Sequence, residues 1–208
     1  RESLDDARIN APLTVMTLDR IVSLRDYGDF ARAFSGVAKA QAIVSWSNVG
    51  RRVFVTIAGA DGAAIAEGSE LYGNLLTAMH AAGDPQVPLR VLTYTPAFFT
   101  LAGTVRCAPD YLESTVATAI EQRLRTAFGF RAREFTQAVA LSEVVAAIHA
   151  VPGVVAVDLD KFHRVDGAET LETILTAAGP RTSGNDDLGA ELLTLDGRPL
   201  ALTIIKAT

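Results

Sequence analysis

The hydrophobic period of the chain changes several times, and each change marks an element. Tyr27, Phe30, Ala31 and Phe34 recur at i, i+3, i+4 and i+7, the apolar stripe of a helix. Ser23 stands at its N-cap and Asp26 at N3, an Asp variant of the capping box. Val22 and Tyr27 occupy the positions of a hydrophobic staple, and Gly36 is a natural terminator. Beyond Gly36 the period becomes two: Ala38, Ala40, Ala42 and Val44 alternate with Lys39, Gln41 and Ile43, as in a half-buried strand. A turn over Ser47-Asn48-Val49-Gly50 leads to a second strand, Arg51 to Ile57, and the two predict a hairpin.

Ser69 predicts the cap of a helix through Ala82, with Leu71, Leu75, Leu76, Met79 and Ala82 on one side. Leu89–Thr95 and Phe98–Val105 read as a strand pair broken at Pro96. Val116, Ile120, Leu124 and Phe128 mark a further helix closed by Gly129, and Leu141 to Val151 another, ended by Pro152-Gly153. Val154 to Phe162 alternates as a strand. Two stretches share a frame: each runs from a helix end through Gly36-Val37 or Gly153-Val154 into a strand of the same phase. That frame fits an internal duplication, and equally a common α/β joint. Residues 164–189 lose periodicity, and within them Ala177–Gly189 reads as a mobile loop. Glu191–Leu195, Asp196-Gly197-Arg198-Pro199 and Leu200–Ile205 predict a closing hairpin. The expected fold is α+β: two small α/β sandwich-like units, helices on antiparallel or mixed sheets, plus a C-terminal β-hairpin arm. The expected divisions are a lead-in over 1–16, units over 17–108 and 109–165, and loop and hairpin over 166–208.

Composition narrows the chemistry. The 208 residues are 49% hydrophobic and 21% charged, a profile of folded chains, and no apolar run approaches a membrane span. Lys+Arg 19 against Asp+Glu 24 leaves no basic footprint for nucleic acid. A single cysteine, Cys107, excludes an internal disulfide and reads as a core residue. Asp158, Asp160 and His163 form a D-x-D-x-x-H pattern that suggests a metal or carboxylate site, against the plainer reading of a solvated strand face. Gly59-x-x-Gly62, with Gly68 before a helix, invites a phosphate loop but lacks its order and reads as a tight turn. His80 and His149 sit near helix C-termini, where the dipole suits them. Arg123, Arg125, Arg131 and Arg133 gather around one helix end with Glu121 and Glu134 among them, a protein–protein contact or a solvated helix face more than an anion site. No catalytic, cofactor or metal residue is assigned. The chain opens on Arg1 without an initiator methionine or signal peptide, which suggests a piece of a longer protein.

The run Ala7-Arg8-Ile9-Asn10-Ala11-Pro12-Leu13, then Leu18-Asp19-Arg20-Ile21-Val22-Ser23-Leu24-Arg25-Asp26-Tyr27, is more distinctive than its physics requires. So is Phe30 to Ala40. With Leu124 to Gly129, Leu141 to Ile148, Val151 to Val154 and the ending Gly189 to Asp196, their order resembles the baseplate J-like family, the wedge proteins of contractile phage tails and injection systems. The resemblance spans most of residues 7–200, and its motifs are structural joints.

That resemblance implies a structural, non-enzymatic wedge component without cofactors, joining hub or spike, sheath and a paralogous or identical wedge subunit in a ring. It would assemble in the cytoplasm and then form part of a particle. Arg123, Arg125, Leu193, Leu195, Leu200, Leu202 and Ile204 are the expected docking residues, on helix 114–128 and on an exposed hairpin. Removing residues 190–208 should then leave a folded domain that no longer assembles. The alternatives are a metal-dependent hydrolase using Asp158, Asp160 and His163, and a ferredoxin-like small-molecule regulatory domain using the Gly59–Gly68 loop.

Overall fold

The computed structural model describes residues 20–47, 50–184 and 186–207. The lead-in over 1–16, the motif residues before Arg20 and the Asn48-Val49 part of the first turn lie outside them. The elements, in chain order, are α1 (Leu24–Ala33), β1 (Val37–Ser47), β2 (Gly50–Gly59), a 3-10 turn (Ala60–Gly62), α2 (Glu70–Ala82), β3 (Leu89–Thr93), β4 (Thr95–Cys107), α3 (Glu113–Ala127), β5 (Val139–Ala140), α4 (Leu141–His149), β6 (Val154–Arg164), β7 (Ile174–Leu175), β8 (Arg181–Ser183), β9 (Asp186–Leu188), β10 (Glu191–Leu195) and β11 (Ala201–Lys206). This is an α+β chain, as its periodicities predict.

Two compact units share it in an interleaved way. One takes in the chain up to Thr95 together with Ala178–Glu191; the other takes in Pro96–Ala177 and Leu192–Thr208. The boundary expected at 108/109 therefore falls instead before Pro96, and β4 goes with the second unit. The stretch 166–208 is divided between both units and forms no separate arm.

In the first unit, β1 and β2 pair antiparallel, and β2 pairs parallel with β3 after the α2 crossover. Tyr27 and Ala31 of α1, with Tyr72, Leu75 and Met79 of α2, pack on Ala40, Val53, Val55 and Ile57. The capping box forms as predicted: Ser23 Oγ accepts from the Asp26 N–H, and the Asp26 carboxylate accepts from the Ser23 N–H at 2.7 Å. The staple does not form. Val22 is 82% exposed, its N–H donating to the same Asp26 carboxylate, and Ile21 is buried in its stead. Ser23→Ala should cost about 1 kcal/mol, read as a shift in the denaturation midpoint. The backbone N–H groups of Ser23 and Val22 hold Asp26 below its ordinary 3.8. Its contribution is therefore complete above that value and fades as pH falls through the lower folded one.

The β2 face bearing Arg52, Phe54 and Thr56 is met by the segment that reads as a mobile loop. Its described residues are fastened by specific bonds. Asp187 of β9 lies 3.3 Å from Arg52 and 3.7 Å from Arg90, and Thr182 donates to it at 2.7 Å. The Ala190 N–H donates to the buried Thr56 hydroxyl at 3.0 Å, the Thr95 N–H to the Ala190 carbonyl at 3.0 Å, and buried Glu191 pairs with Arg181 at 3.0 Å.

In the second unit β4 is the hub: β6 pairs with it antiparallel, β11 pairs parallel, and β10 is its third neighbour. Leu89–Thr95 and Phe98–Val105 are thus no strand pair, because β3 joins β2 and β4 joins β6, β10 and β11. Val116, Ile120, Leu124 and Phe128 all point into a core with Phe99, Leu101, Phe162, Val144 and Ile148, as their spacing predicts. The closing hairpin does not form either. The Asp196–Pro199 connection carries the chain onward along β4, with the Asp196 N–H on the Phe99 carbonyl at 2.9 Å and Ala201 opposite Ala102. Arg125 of α3 donates to the carbonyls of Asp196, Gly197 and Arg198 at 3.3, 3.3 and 3.1 Å, so these groups find their partner in a side chain rather than a hairpin ladder.

The shared sequence frame is a shared geometry. Leu24 and Leu141 open the two helices, and Gly36 and Gly153 end the joints with φ of 94° and 90°. A Cβ at Gly153 would lie 2.5 Å from the Tyr111 ring, so glycine is needed there for space as well as for φ. Val37 and Val154 each donate back three residues, to Phe34 at 3.1 Å and Val151 at 3.2 Å. Each of the 11-residue strands β1 and β6 then bulges at the same step, at Ala38 and Val155, both turned to solvent. The bulge overturns the inward placing of Ala38 and Val155; Ala40, Ala42, Val157 and Leu159 keep theirs. The order around the joint differs, since β2 follows β1 whereas β4 precedes β6.

Candidate functional site

The candidate reactive residues do not assemble into a site. Asp158 and Asp160 both face solvent on either side of buried Leu159, and a bulge between Leu159 and Lys161 shifts the phase beyond them, so His163 is not on their face. His163 is buried with Nδ1 2.9 Å from the Arg164 carbonyl oxygen. Among the described residues no three His, Cys, Asp or Glu side chains gather as a metal-holding group. The Gly59 loop is closed on itself: the Gly59 N–H donates to the Ala63 carbonyl at 2.8 Å and the Ala63 N–H to Ala60 at 3.0 Å, so it is a turn with its own amides engaged. Cys107 is a buried free thiol at the end of β4. His80 and His149 occupy the last turns of α2 and α4, as predicted.

The expected docking residues separate into two groups. Leu193 and Leu195 are buried at 0% and 7% exposure, and Leu200, Leu202 and Ile204 pack against the same core. Their side chains are structural, because β10 and β11 both lie on β4 and turn these positions inward. Leu192, at 1% exposure, and Leu193 make residues 190–208 part of a core. Removing them should therefore unfold the second unit, contrary to the expectation of a folded remainder. Arg125 clamps the 196–198 connection and pairs with Glu121 at 2.6 Å.

Arg123 is exposed and has no ion pair among the described residues. It borders an open hollow of about 370 Å³ with Arg133 and Glu143, and with Ala127, Phe128, Ala146 and Ala147 as the apolar lining. Arg133 is 4% exposed, its guanidinium over the Phe128 ring at 5.7 Å from the centroid. Burial pushes its pKa below the ordinary guanidinium range, and Glu143 pulls the other way. Periodicity could not find this residue: Arg133 lies in the irregular stretch after Gly129, where a buried and an exposed arginine read alike. Glu143, Ala146 and Ala147 show on an α4 helical wheel, but their meeting with the end of α3 is a tertiary fact.

The fold and these surfaces define a class of protein: a two-unit α+β chain that presents surfaces, with no reactive constellation among the described residues. Residues 19–92 match the family model of the Baseplate J-like central domain, which bears out the resemblance to the baseplate J-like family read from the sequence. No curated protein sequence matches the chain. Among solved structures, a chain of the anti-feeding prophage (AFP) baseplate, determined by cryo-EM and 6-fold symmetrised, shares the fold with a TM-score of 0.61 at 10% identity. The alignment covers 94% of this chain and 42% of that one, so the present chain spans well under half of its length.

Proposed function

We propose that this chain is a structural subunit of a baseplate, in a contractile phage tail or a related injection particle, and that it works by docking rather than by catalysis. The observation that carries the reading is the Baseplate J-like central domain match over residues 19–92, supported by the fold likeness to a baseplate chain. Within that role it is a wedge component that joins hub or spike, sheath and a neighbouring wedge subunit, itself or a paralogue. Assembly takes place in the cytoplasm before the subunit becomes part of the particle. The available surfaces are the exposed part of α3 with Arg123, and the sheet edge along β11, where Ala201, Thr203 and Ile205 face outward. An edge strand can accept a strand from another subunit through main-chain hydrogen bonds.

The test is recovery of a tagged full chain from cells producing the particle, with fractions sedimented and their proteins identified. Co-sedimentation with tube, sheath and spike proteins is the expected outcome. A chain found only in light fractions, free of tail proteins while intact particles form, would remove the proposal.

A further inference from the structure

Arg133 is an under-compensated buried cation. Its Nη2 donates to the carbonyls of Gln137 (3.3 Å) and Ala138, its Nη1 lies 3.5 Å from Glu143, and its buried Nε has no hydrogen-bond partner. A guanidinium offers five N–H donors, and leaving one buried and unmade is costly. Its carboxylate partner is loose: 3.5 Å exceeds the ~2.7–2.9 Å of a close charge-assisted bond, and the Glu143 side chain is 51% exposed. The same hollow is bordered by Arg123, exposed and without an ion pair among the described residues. Two guanidinium groups against one carboxylate make this a locally positive spot on a chain whose net charge is −5.

The remaining lining is small and apolar, Ala127, Ala146 and Ala147 beside the Phe128 ring. Such a lining lets a peptide come close and sheds water from around the arginines, where a charge-assisted bond then gains strength. The hollow is open, whereas sites for free small ligands bury about 70–90% of the ligand surface. An acidic side chain carried on a protein brings its own cover. We propose that this hollow receives a carboxylate side chain from a partner protein, held between Arg123 and Arg133. The inference rests on the docking role proposed above and names the chemistry of one contact.

The experiment titrates the full chain with a capped Ala-Glu-Ala peptide, following backbone amide shifts in α3 and α4. Parallel titrations use capped Ala-Gln-Ala, sodium acetate and inorganic phosphate. Glu143→Gln removes the resident competitor and should tighten Ala-Glu-Ala binding roughly tenfold, the value of one charge-assisted hydrogen bond at its modest end. Adding Arg123→Glu to that variant should undo at least this gain, and Ala-Gln-Ala should leave the amides unmoved. Both substituted side chains are exposed, so the variants should stay folded, with Glu143→Gln losing some stability because it withdraws the carboxylate beside buried Arg133.

No tightening in Glu143→Gln, no loss on Arg123→Glu, or equal binding of Ala-Gln-Ala overturns the proposal. Phosphate or acetate binding as tightly as the peptide overturns it too, in favour of a free-anion site. The titration does not involve particle assembly, so its failure leaves co-sedimentation untouched, and failed co-sedimentation leaves the titration result standing.

Discussion

Phe99→Ala should destabilise the second unit by about 3–5 kcal/mol, a large share of the ~5–15 kcal/mol that holds a domain folded. Phe99 is fully buried on β4, the strand to which β6, β10 and β11 all bond. Its ring meets Phe128 at 5.5 Å and 89°, and Phe162 at 5.6 Å and 78°, both edge-to-face. Truncation removes the apolar area, leaves a cavity and breaks two aromatic pairs worth roughly 0.5–1.5 kcal/mol each. The backbone at Phe99 cannot move to fill the void without disturbing β6, because Phe99 sits opposite Arg164 in the ladder. Hydrogen exchange resolved by segment, with a denaturation midpoint, reads the effect. Loss of protection should concentrate in β4, α3 and β6. A cost under about 1.5 kcal/mol would mean that these three rings do not form the centre of the unit.

Gly189→Ala is the second large effect, and it acts on the first unit. A Cβ there would lie 2.1 Å from the Thr93 carbonyl oxygen and 2.9 Å from its carbon, both main chain, so no side chain can swing aside. Relief requires residues 189–190 to lift away. That breaks the Ala190 N–H bond to the buried Thr56 hydroxyl and both bonds of Thr95, to the Ala190 carbonyl and, at 3.1 Å, to the Gly189 carbonyl. The cost should reach at least the upper end of an overpacked core, about 3 kcal/mol. Limited proteolysis should cut within 178–191 in the variant and not in the parent. Gly197→Ala is the control: nothing lies within 4 Å of its would-be Cβ, and its effect should stay within about 0.5 kcal/mol. Equal proteolysis of the Gly189 variant and the parent would refute the close packing of this segment.

What the sequence disclosed depended on range. Helix α3 was legible because Val116, Ile120, Leu124 and Phe128 repeat without interruption, and α1 because Ser23 and Asp26 are a local device. The glycine joints were legible because φ near +90° demands a residue type. Strand partners were not: an alternating run such as Leu200–Ile205 states which face is apolar and is silent on which strand it will join. The 178–191 segment was hidden for a similar reason, since Asp187 and Gly189 fasten it by an ion pair and a close approach that leave no periodicity. The bulge at Ala38 shifts the phase after one residue, which a strict alternation cannot anticipate. Of the site, Arg123 was legible as a surface cation, while Arg133 looked no different from its exposed neighbours.

The interleaving of the two units bears on how the chain can be made. A ribosome that has delivered everything through β3 has not delivered β8 and β9, so the β2 face with Phe54 and Thr56 stays uncovered until the chain has grown past Ala190. The second unit waits longer still, since β11 ends at Lys206. Neither unit can close during early synthesis, and long-range contacts of this kind slow folding and leave apolar surface open to misassociation. Any expression strategy that splits the chain at its apparent midpoint would remove a part of both halves at once.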